Sequence, residues 1–213
     1  LLKLGEIVLK GLNRNTFERK LIGNIQRRLK RYGCFEVYTK QSTIYVEPEG
    51  ENCDLDSAYQ TLKKVFGIAA ISRAAVCPKD KDAIAETAKK YLYLRLSTAR
   101  TFKVESKRAD KKFPLNSMEL SKYVGGEIYE AFDNLEVDVR NPQLLVNVEI
   151  REKAAYVHAE AEKGAGGMPV GVNGRALALL SGGIDSPVAS YMIAKRGVEL
   201  TMLHFFSYPY TSE

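Results

Sequence analysis

The residues with most chemical content are Ser181-Gly182-Gly183-Ile184-Asp185-Ser186-Pro187, followed by Val188-Ala189-Ser190-Tyr191-Met192-Ile193-Ala194. They have the form of a phosphate-binding turn that runs into a helix. Gly182 and Gly183 can take positive φ and leave the backbone uncovered, so successive amide N–H groups can converge on an anion. Ser181 and Ser186 offer hydroxyl donors, and Ser186 is also a candidate N-cap. Pro187 at the first helical position removes no needed hydrogen bond, and the unpaired N–H groups of a first turn attract phosphate. Asp185 is the odd member. A carboxylate beside bound phosphates is repelled unless it carries magnesium, contacts the sugar or base side of a nucleotide, or has a catalytic task. The bland alternative is an ordinary capped strand-to-helix turn. The pattern is neither Gly-x-Gly-x-x-Gly nor a lysine-containing Walker loop, which argues against a dinucleotide site or ordinary phosphoryl transfer.

The elements around the turn fit a nucleotide-binding half-domain. Residues 175–180 are continuously apolar after Arg175 and predict a buried parallel strand; the helix is expected over 187–196, then Gly197 and an apolar strand over 198–206. Two strands and one helix cannot cover both faces of an open parallel sheet, so further strands are expected that this sequence does not contain. Residues 162–174 hold five glycines and little periodicity, and predict a linker that places the last domain against the others.

Upstream, the first third predicts strand, helix, strand, strand, helix, strand. The strands fall at 4–9, 35–39, 43–47 and 68–76, with a hairpin connection at Lys40-Gln41-Ser42. Asn13 or Asn15 is expected to cap a helix with Phe17, Leu21, Ile25 and Leu29 on one stripe, ended by Gly33. A second helix over 54–66 carries Leu55, Tyr59, Leu62 and Phe66 on one face. The order is that of a ferredoxin-like sandwich, with a less regular α+β domain as the alternative. A second α+β domain follows from about residue 78 to 162. It is expected to hold helices over 80–93 and 116–132, the latter capped by Ser117, an extended stretch at 102–105 and a strand pair at 144–150 and 154–158. Gly125-Gly126 inside the second helix either permits a close contact or marks a break.

The chain has 213 residues, enough for one large domain or two to three small ones. Apolar residues at 45% and charged residues at 27% are ordinary globular values, and no apolar run reaches the roughly 20 residues of a membrane span. The first residues lack the features of a secretory signal, so a cytoplasmic location without membrane attachment is expected. Cys34, Cys53 and Cys77 have no paired spacing and only His158 and His204 as imidazole companions, which excludes a zinc-site or disulfide-framework pattern and suggests buried small hydrophobes. The net charge of +6 is a weak pointer to nucleic acid, but Arg95, Arg100, Lys103, Lys107, Arg108, Lys111 and Lys112 are opposed locally only by Glu105 and Asp110. A solvated basic surface and an RNA-binding surface both fit that segment.

Several separated signatures carry a family resemblance. The turn resembles the pyrophosphate loop of ATP pyrophosphatases that adenylate a substrate. Together with Gly166-Gly167-Met168-Pro169-Val170-Gly171 and the stretch from His204 to Glu213, it resembles the tRNA 4-thiouridine synthetase (tRNA uracil 4-sulfurtransferase) family. The opening Leu4-Gly5-Glu6-Ile7-Val8-Leu9-Lys10-Gly11-Leu12-Asn13-Arg14 resembles the start of that family. Arg108-Ala109-Asp110-Lys111-Lys112-Phe113-Pro114, Ser117-Met118-Glu119-Leu120 and Gly125-Gly126 resemble its THUMP domain.

The resemblance implies α+β ferredoxin-like and THUMP domains followed by the truncated start of an α/β ATP pyrophosphatase domain, expected over residues 1–77, 78–165 and 166–213. It implies that tRNA is bound by the first two domains and that O4 of a tRNA uridine is adenylated with ATP and Mg2+. Sulfur from a persulfide donor such as a cysteine desulfurase then displaces AMP to give 4-thiouridine. Ser181, Gly182, Gly183 and Ser186 would bind ATP phosphates, Asp185 would bind nucleotide and support catalysis through substrate or magnesium, and His204 would lie at the ATP edge or pack on the sheet. Lys103, Lys107, Arg108, Lys111 and Lys112 would meet RNA phosphates, with Phe102 or Phe113 either stacking on a base or packed in the core. Arg14, Arg27, Arg28 and Arg31 form a second candidate surface, and His158 is expected to be structural. The family's sulfur-handling cysteine lies beyond this sequence, so none of the three cysteines is assigned that task. The family is often dimeric, which makes a homodimer an expectation, and it feeds sulfur into thiamine thiazole formation. Two other functions stay open: a tRNA-binding module that is catalytically inert, and another loop-type ATP pyrophosphatase acting on a small substrate.

Overall fold

Residues spaced four apart share a helical stripe. In a computed structural model of the protein, which describes residues 1–159 and 161–205, Leu21, Ile25 and Leu29 form such a stripe and are fully buried. They belong to α1 (Arg14–Leu29), which follows β1 (Leu2–Leu4) and precedes β2 (Phe35–Lys40), β3 (Thr43–Pro48), α2 (Leu55–Leu62) and β4 (Ile68–Ile71). The strands form an antiparallel sheet in the order β4-β1-β3-β2, and Leu2, Ile44, Ile68 and Ile71 share one core with the α1 stripe and with Ala58 and Leu62 of α2. This is the ferredoxin-like order expected.

Local details differ from the sequence reading. The strand expected over 4–9 is instead β1 followed by 3-10 turns at Glu6–Leu9 and Gly11–Asn13. An apolar run does not distinguish strand from tight helix, and the turn buries Ile7 while leaving Leu9 and Leu12 exposed. Neither Asn13 nor Asn15 caps α1 through its side chain: Asn13 occupies the N-cap in helical backbone geometry, with no side-chain bond. Gln41 and Ser42 both have positive φ, forming a two-residue hairpin whose twist matches that of its strands. α2 is shorter than expected. Its buried face is Ala58, Thr61 and Leu62, continued by Val65 beyond its end, and Leu55 is exposed.

The strand expected over 68–76 is two strands in two sheets. β4 pairs with β1, whereas β5 (Ala75–Cys77) pairs with β9 (Ala155–His158). Contacts divide the chain into one compact unit of Ser72–Ala161 and another of Leu1–Ile71 with the residues from Glu162 onward.

Between β5 and β9 lie α3 (Lys81–Tyr91), α4 (Tyr93–Thr98), β6 (Thr101–Arg108), α5 (Ser117–Ala131), β7 (Glu136–Val137) and β8 (Leu144–Ile150). The sheet order is β5-β9-β8-β6-β7, with β6 parallel to β7 and β8. Phe102 and Val104 of β6 and Val146 and Val148 of β8 share a core with Ile84 and Ala88 of α3 and Leu120, Val124 and Ile128 of α5. Asn116, not Ser117, caps α5. Its Oδ1 accepts from the amides of Met118 and Glu119 at 2.9 and 3.0 Å, while Glu119 Oε2 accepts from the Asn116 amide at 2.7 Å, a reciprocal capping box. α5 runs unbroken through both glycines. A Cβ on Gly125 would sit 3.7 Å from Val104 Cγ2, and one on Gly126 would meet nothing, so neither position requires glycine for space.

The stretch expected to be a linker is bound tightly to the first unit. β10 (Glu162–Lys163) adds to the free edge of β4, and Tyr59 Oη donates to Glu162. Ala165 and Gly166 amides donate to the carbonyls of Lys63 and Ile68, the Gly67 amide donates to Gly166, and Met168 is 1% exposed within the first core. The glycines here serve close backbone approach. A Cβ on Gly167, at φ +73°, would lie 2.3 Å from the Lys195 carbonyl oxygen.

β11 (Arg175–Leu179), α6 (Asp185–Lys195) and β12 (Glu199–Leu203) complete the chain described, with β11 parallel and in register to β12. The expectation of a buried strand over 175–180 fails: Leu177 and Leu179 are 61% and 62% exposed. Two strands and one helix leave much of this sheet exposed, because a parallel sheet is covered by helices on both faces.

Candidate nucleotide loop and basic loop

The Ser181 to Pro187 turn leaves the carboxyl end of β11, the end at which open α/β sheets bind ligands. α6 starts two residues earlier than expected: Ile184 is the N-cap, Asp185 the first helical residue and Ser186 the second. Pro187 is still within the first turn, where no N–H has an intrahelical partner. Ser186 therefore does not cap. Its Oγ instead accepts from the Ser181 amide at 2.9 Å and lies 3.0 Å from Ser181 Oγ, while the Gly183 amide reaches Ser181 Oγ at 3.4 Å. The two serines close the turn on itself.

Neither Gly182 nor Gly183 has positive φ, contrary to the sequence reading. A Cβ on Gly182 would meet nothing within 4 Å, and one on Gly183 only Ser181 Oγ at 3.6 Å, so the fold itself does not require glycine at either position and the backbone of the turn stands uncovered. A phosphate chain fits this donor set: exposed serine hydroxyls, an uncovered backbone and a helix N-terminus. Asp185 is exposed and, among the described residues, makes no ion pair or hydrogen bond. The described residues contain no cluster of three or more His, Cys, Asp or Glu able to hold a metal. Asp185 is the carboxylate within the turn that would hold a magnesium ion accompanying a bound nucleotide.

His204 closes the same end of the sheet. Its Nδ1 lies 2.8 Å from the Leu180 carbonyl, which can only accept, so Nδ1 donates, and Nε2 has no hydrogen-bond partner among the described residues. The Leu180 amide in turn donates to Leu203 at 2.8 Å. Ser181, Gly182, Gly183, Asp185, Ser186 and His204 therefore share one edge. Of the closing signature, residues 206–213 lie outside those described.

In the other unit the predicted basic residues separate into two groups. Lys103 is paired with Glu105 at 2.7 Å, which holds the Glu105 carboxyl below its ordinary range. Arg108 Nη1 donates to the carbonyls of Phe113 and Leu115 at 2.9 and 3.2 Å, so its guanidinium braces the loop between β6 and α5. Lys107, Lys111 and Lys112 are exposed, and among the described residues no ion pair or side-chain hydrogen bond engages their ammonium groups. Phe102 and Phe113 are 1% and 6% exposed and pack in the core, which removes base stacking from both. On α1, Arg14 is bound to Glu18 and Ser42, Arg31 lies over the Tyr32 ring, and Arg27 and Arg28 line a shallow pocket of about 230 Å³ with Asn24, Val65, Phe66 and Val170.

Three domain families match the chain in order: the ThiI ferredoxin-like domain over residues 1–72, the THUMP domain over 78–160, and Thiamine biosynthesis protein (ThiI) over 171–213. A probable tRNA sulfurtransferase of Acetivibrio thermocellus is 47% identical over all of this chain and 55% of its own length, and one of Alkaliphilus metalliredigens is 48% identical over all of this chain and 54% of its own. The crystal structure of a 4-thiouridine synthetase–RNA complex with bound ATP superposes with a TM-score of 0.83 at 37% identity, covering all of this chain and 53% of that one.

The chain belongs to the ThiI family. It spans about half the length of the curated relatives it matches. Within this ThiI-family chain the remaining candidates are structural or unassigned. His158 is 5% exposed, with Nδ1 donating to the Ala159 carbonyl at 2.8 Å and Nε2 3.5 Å from Glu149. Only Cys77 is the buried small hydrophobe expected of all three cysteines, and burial pushes its thiol up; Cys34 is exposed and Cys53 half-buried. The contact between Lys79 and Asp110, which locks the basic loop to its neighbours, was missed by sequence reading, where Asp110 appeared only as a local counter-charge and within a signature. An Asp between basic residues carries no sign of a lysine 31 positions upstream.

Proposed function

We propose that this chain is the RNA-binding and nucleotide-loop portion of an ATP-dependent enzyme that converts a tRNA uridine to 4-thiouridine. The observation that carries the reading is the serine-closed turn with its open glycine floor, on a chain whose three family domains follow one another in ThiI order. Residues Ser181, Gly182, Gly183 and Ser186 hold the phosphates of ATP, and His204 borders the nucleotide at the same sheet edge. The free carboxylate of Asp185 orients substrate or a phosphate-bound magnesium ion. When bound, magnesium neutralises charge that develops on the phosphates.

Uracil O4 bonds to the α-phosphorus of ATP and pyrophosphate leaves. An oxide-like oxygen on C4 is a poor leaving group, and its conversion to an adenylate lets the terminal persulfide sulfur bond to C4 as AMP departs; a second thiol then cleaves the S–S bond, which leaves sulfur on C4 and the donor as a disulfide. Amide and hydroxyl donors fixed before reaction stabilise that charge without reorganisation. The exposed Lys107, Lys111 and Lys112 bind tRNA phosphates, with Lys103 and Arg108 shaping the surface around them. Such an enzyme works in the cytoplasm, and among the described residues no helix is long and apolar enough to cross a membrane. The sulfur donor, a homodimer and a supply of sulfur to thiamine thiazole formation are part of the same proposal.

The test is formation of 4-thiouridine by the full-length protein with ATP, magnesium, tRNA and a persulfide donor, read by nucleoside mass spectrometry. No thiolated product under those conditions overturns the assignment. Lys111→Ala is expected to weaken tRNA binding and to lower the log–log salt slope by about 1, as loss of one phosphate contact does. An unchanged slope would remove Lys111 from the interface.

A second reading is favoured by the exposed faces of β11 and α6, where Leu177, Val188 and Met192 are each more than half exposed. In it the 213-residue chain acts alone as a tRNA-binding module. ATP-dependent adenylation of tRNA by the 213-residue chain itself would reject it.

A further inference from the structure

The loop that carries Lys111 and Lys112 is built to a degree that its exposure does not require. Residues 109–115 join β6 to α5. At its start the Ala109 amide donates to the Ile150 carbonyl at 2.9 Å, extending the β6–β8 ladder by one bond. At its end Phe113 is buried and Arg108 holds the Phe113 and Leu115 carbonyls. Between these anchors Asp110 turns inward. Its Oδ1 accepts from the Lys112 amide at 2.9 Å, and its Oδ2 accepts from Lys79 Nζ at 2.6 Å. Lys79 lies between β5 and α3, and its ammonium also donates to the Glu152 carbonyl in the β8–β9 turn at 2.7 Å. One ammonium therefore ties three connections of the domain together, and one carboxylate fixes the backbone on which the two free lysines stand.

We infer that Lys79 and Asp110 form a latch that presets the basic loop for the RNA backbone, acting as positioning residues that do not themselves touch RNA. The inference rests on the proposed RNA role of Lys111 and Lys112. The physical reason is preorganisation: a loop ordered before binding does not lose its conformational freedom on binding, so more of the phosphate attraction appears as affinity. The arrangement also explains an acidic residue within Arg108-Ala109-Asp110-Lys111-Lys112. By charge alone Asp110 opposes an anion, and its carboxyl is held below the ordinary range first by Lys79 and then by the Lys112 amide, so it stays ionised and paired.

Opposite charges in the latch make the test sharp. Asp110→Asn removes a negative charge and Lys79→Met a positive one, so a pure charge effect moves tRNA affinity in opposite directions. The latch predicts that both variants weaken tRNA binding, by about three- to tenfold at moderate salt, and that both lower the log–log salt slope by about 1 because the lysines no longer reach phosphates together. Asp110→Asn with Lys79→Met should be no weaker than the worse single variant, since each already opens the latch. Both side chains lie at the domain rim, and the urea midpoint of each variant checks that the domain stays folded. Tighter binding by Asp110→Asn, or wild-type affinity and slope in both single variants, overturns the latch. Lys111→Ala with Lys112→Ala separates the two levels: no loss of tRNA binding there overturns the RNA role of the loop, whereas loss there without loss in the latch variants overturns the latch alone.

Discussion

Asp185→Asn in the full-length enzyme should lower 4-thiouridine formation by roughly 10²-fold or more, the scale seen when one preorganised electrostatic group is removed, while tRNA affinity stays within about twofold of wild type, as expected where no phosphate contact is lost. Asp185 opens α6, is exposed and has no partner among the described residues, so nothing in the fold depends on it. An acidic residue at a helix N-terminus contributes about 0.3–1 kcal/mol to stability, too little to unfold the domain. Loss of rate with retained stability and retained RNA binding therefore localises the carboxylate's role to the reaction. Asparagine keeps the shape and removes the charge, which distinguishes a charge requirement from a packing one. Near-normal thiolation by Asp185→Asn, read by nucleoside mass spectrometry, would take Asp185 out of the chemistry.

The second large effect concerns stability. Met168→Ala should lower the unfolding free energy by about 2–5 kcal/mol, the range for truncating a fully buried Met, Leu or Ile, and urea denaturation checks it. Met168 sits in a glycine-rich stretch whose composition suggests a free tether, yet its side chain is buried against the first core and its amide donates to the Lys195 carbonyl at 2.9 Å. A few residues on, Asn24 Nδ2 donates to the Val170 carbonyl at 3.0 Å and the Gly171 amide to the Gly197 carbonyl at 2.8 Å. Met168→Leu keeps volume and apolarity and should stay within about 1.5 kcal/mol of wild type. A true linker position would tolerate Met168→Ala within about 0.5 kcal/mol, the value for surface substitutions. That result would show that the stretch does not dock in solution.

These expectations also separate what could be read from residue order from what could not. The apolar stripe Leu21, Ile25, Leu29 and the strand-helix-strand-strand-helix-strand order around it were enough to identify a ferredoxin-like unit, because a helix that buries one face writes its own period into the chain. The Ser181 to Ser186 turn was legible as a candidate phosphate site for a similar reason: such a turn is short, local and made of contiguous residues. The details that misled were those in which local pattern is degenerate. Residues 4–9 are equally apolar as strand or tight turn, and only the burial of Ile7 chose between them. Residues 68–76 read as one strand, and the split into β4 and β5 arises because each half finds a different partner strand.

The proposed nucleotide chemistry at Ser181, Gly182, Gly183, Asp185 and Ser186 was therefore legible in the sequence alone, since hydroxyls, glycines and helix start lie within six residues. Tertiary structure decided the rest. It turned Ser186 from a cap into a clasp on Ser181, kept Gly182 and Gly183 out of positive φ, and bound the glycine-rich stretch to the first core. It also sorted the basic residues into those already engaged, Lys103 and Arg108, and those whose ammonium groups make no ion pair or hydrogen bond among the described residues, Lys107, Lys111 and Lys112. The physical reason is common to all of these. A side chain's intrinsic chemistry is fixed by its type, but whether its hydrogen-bonding capacity is spent inside the fold or offered to a ligand depends on partners such as Lys79 for Asp110, which only folding brings within reach.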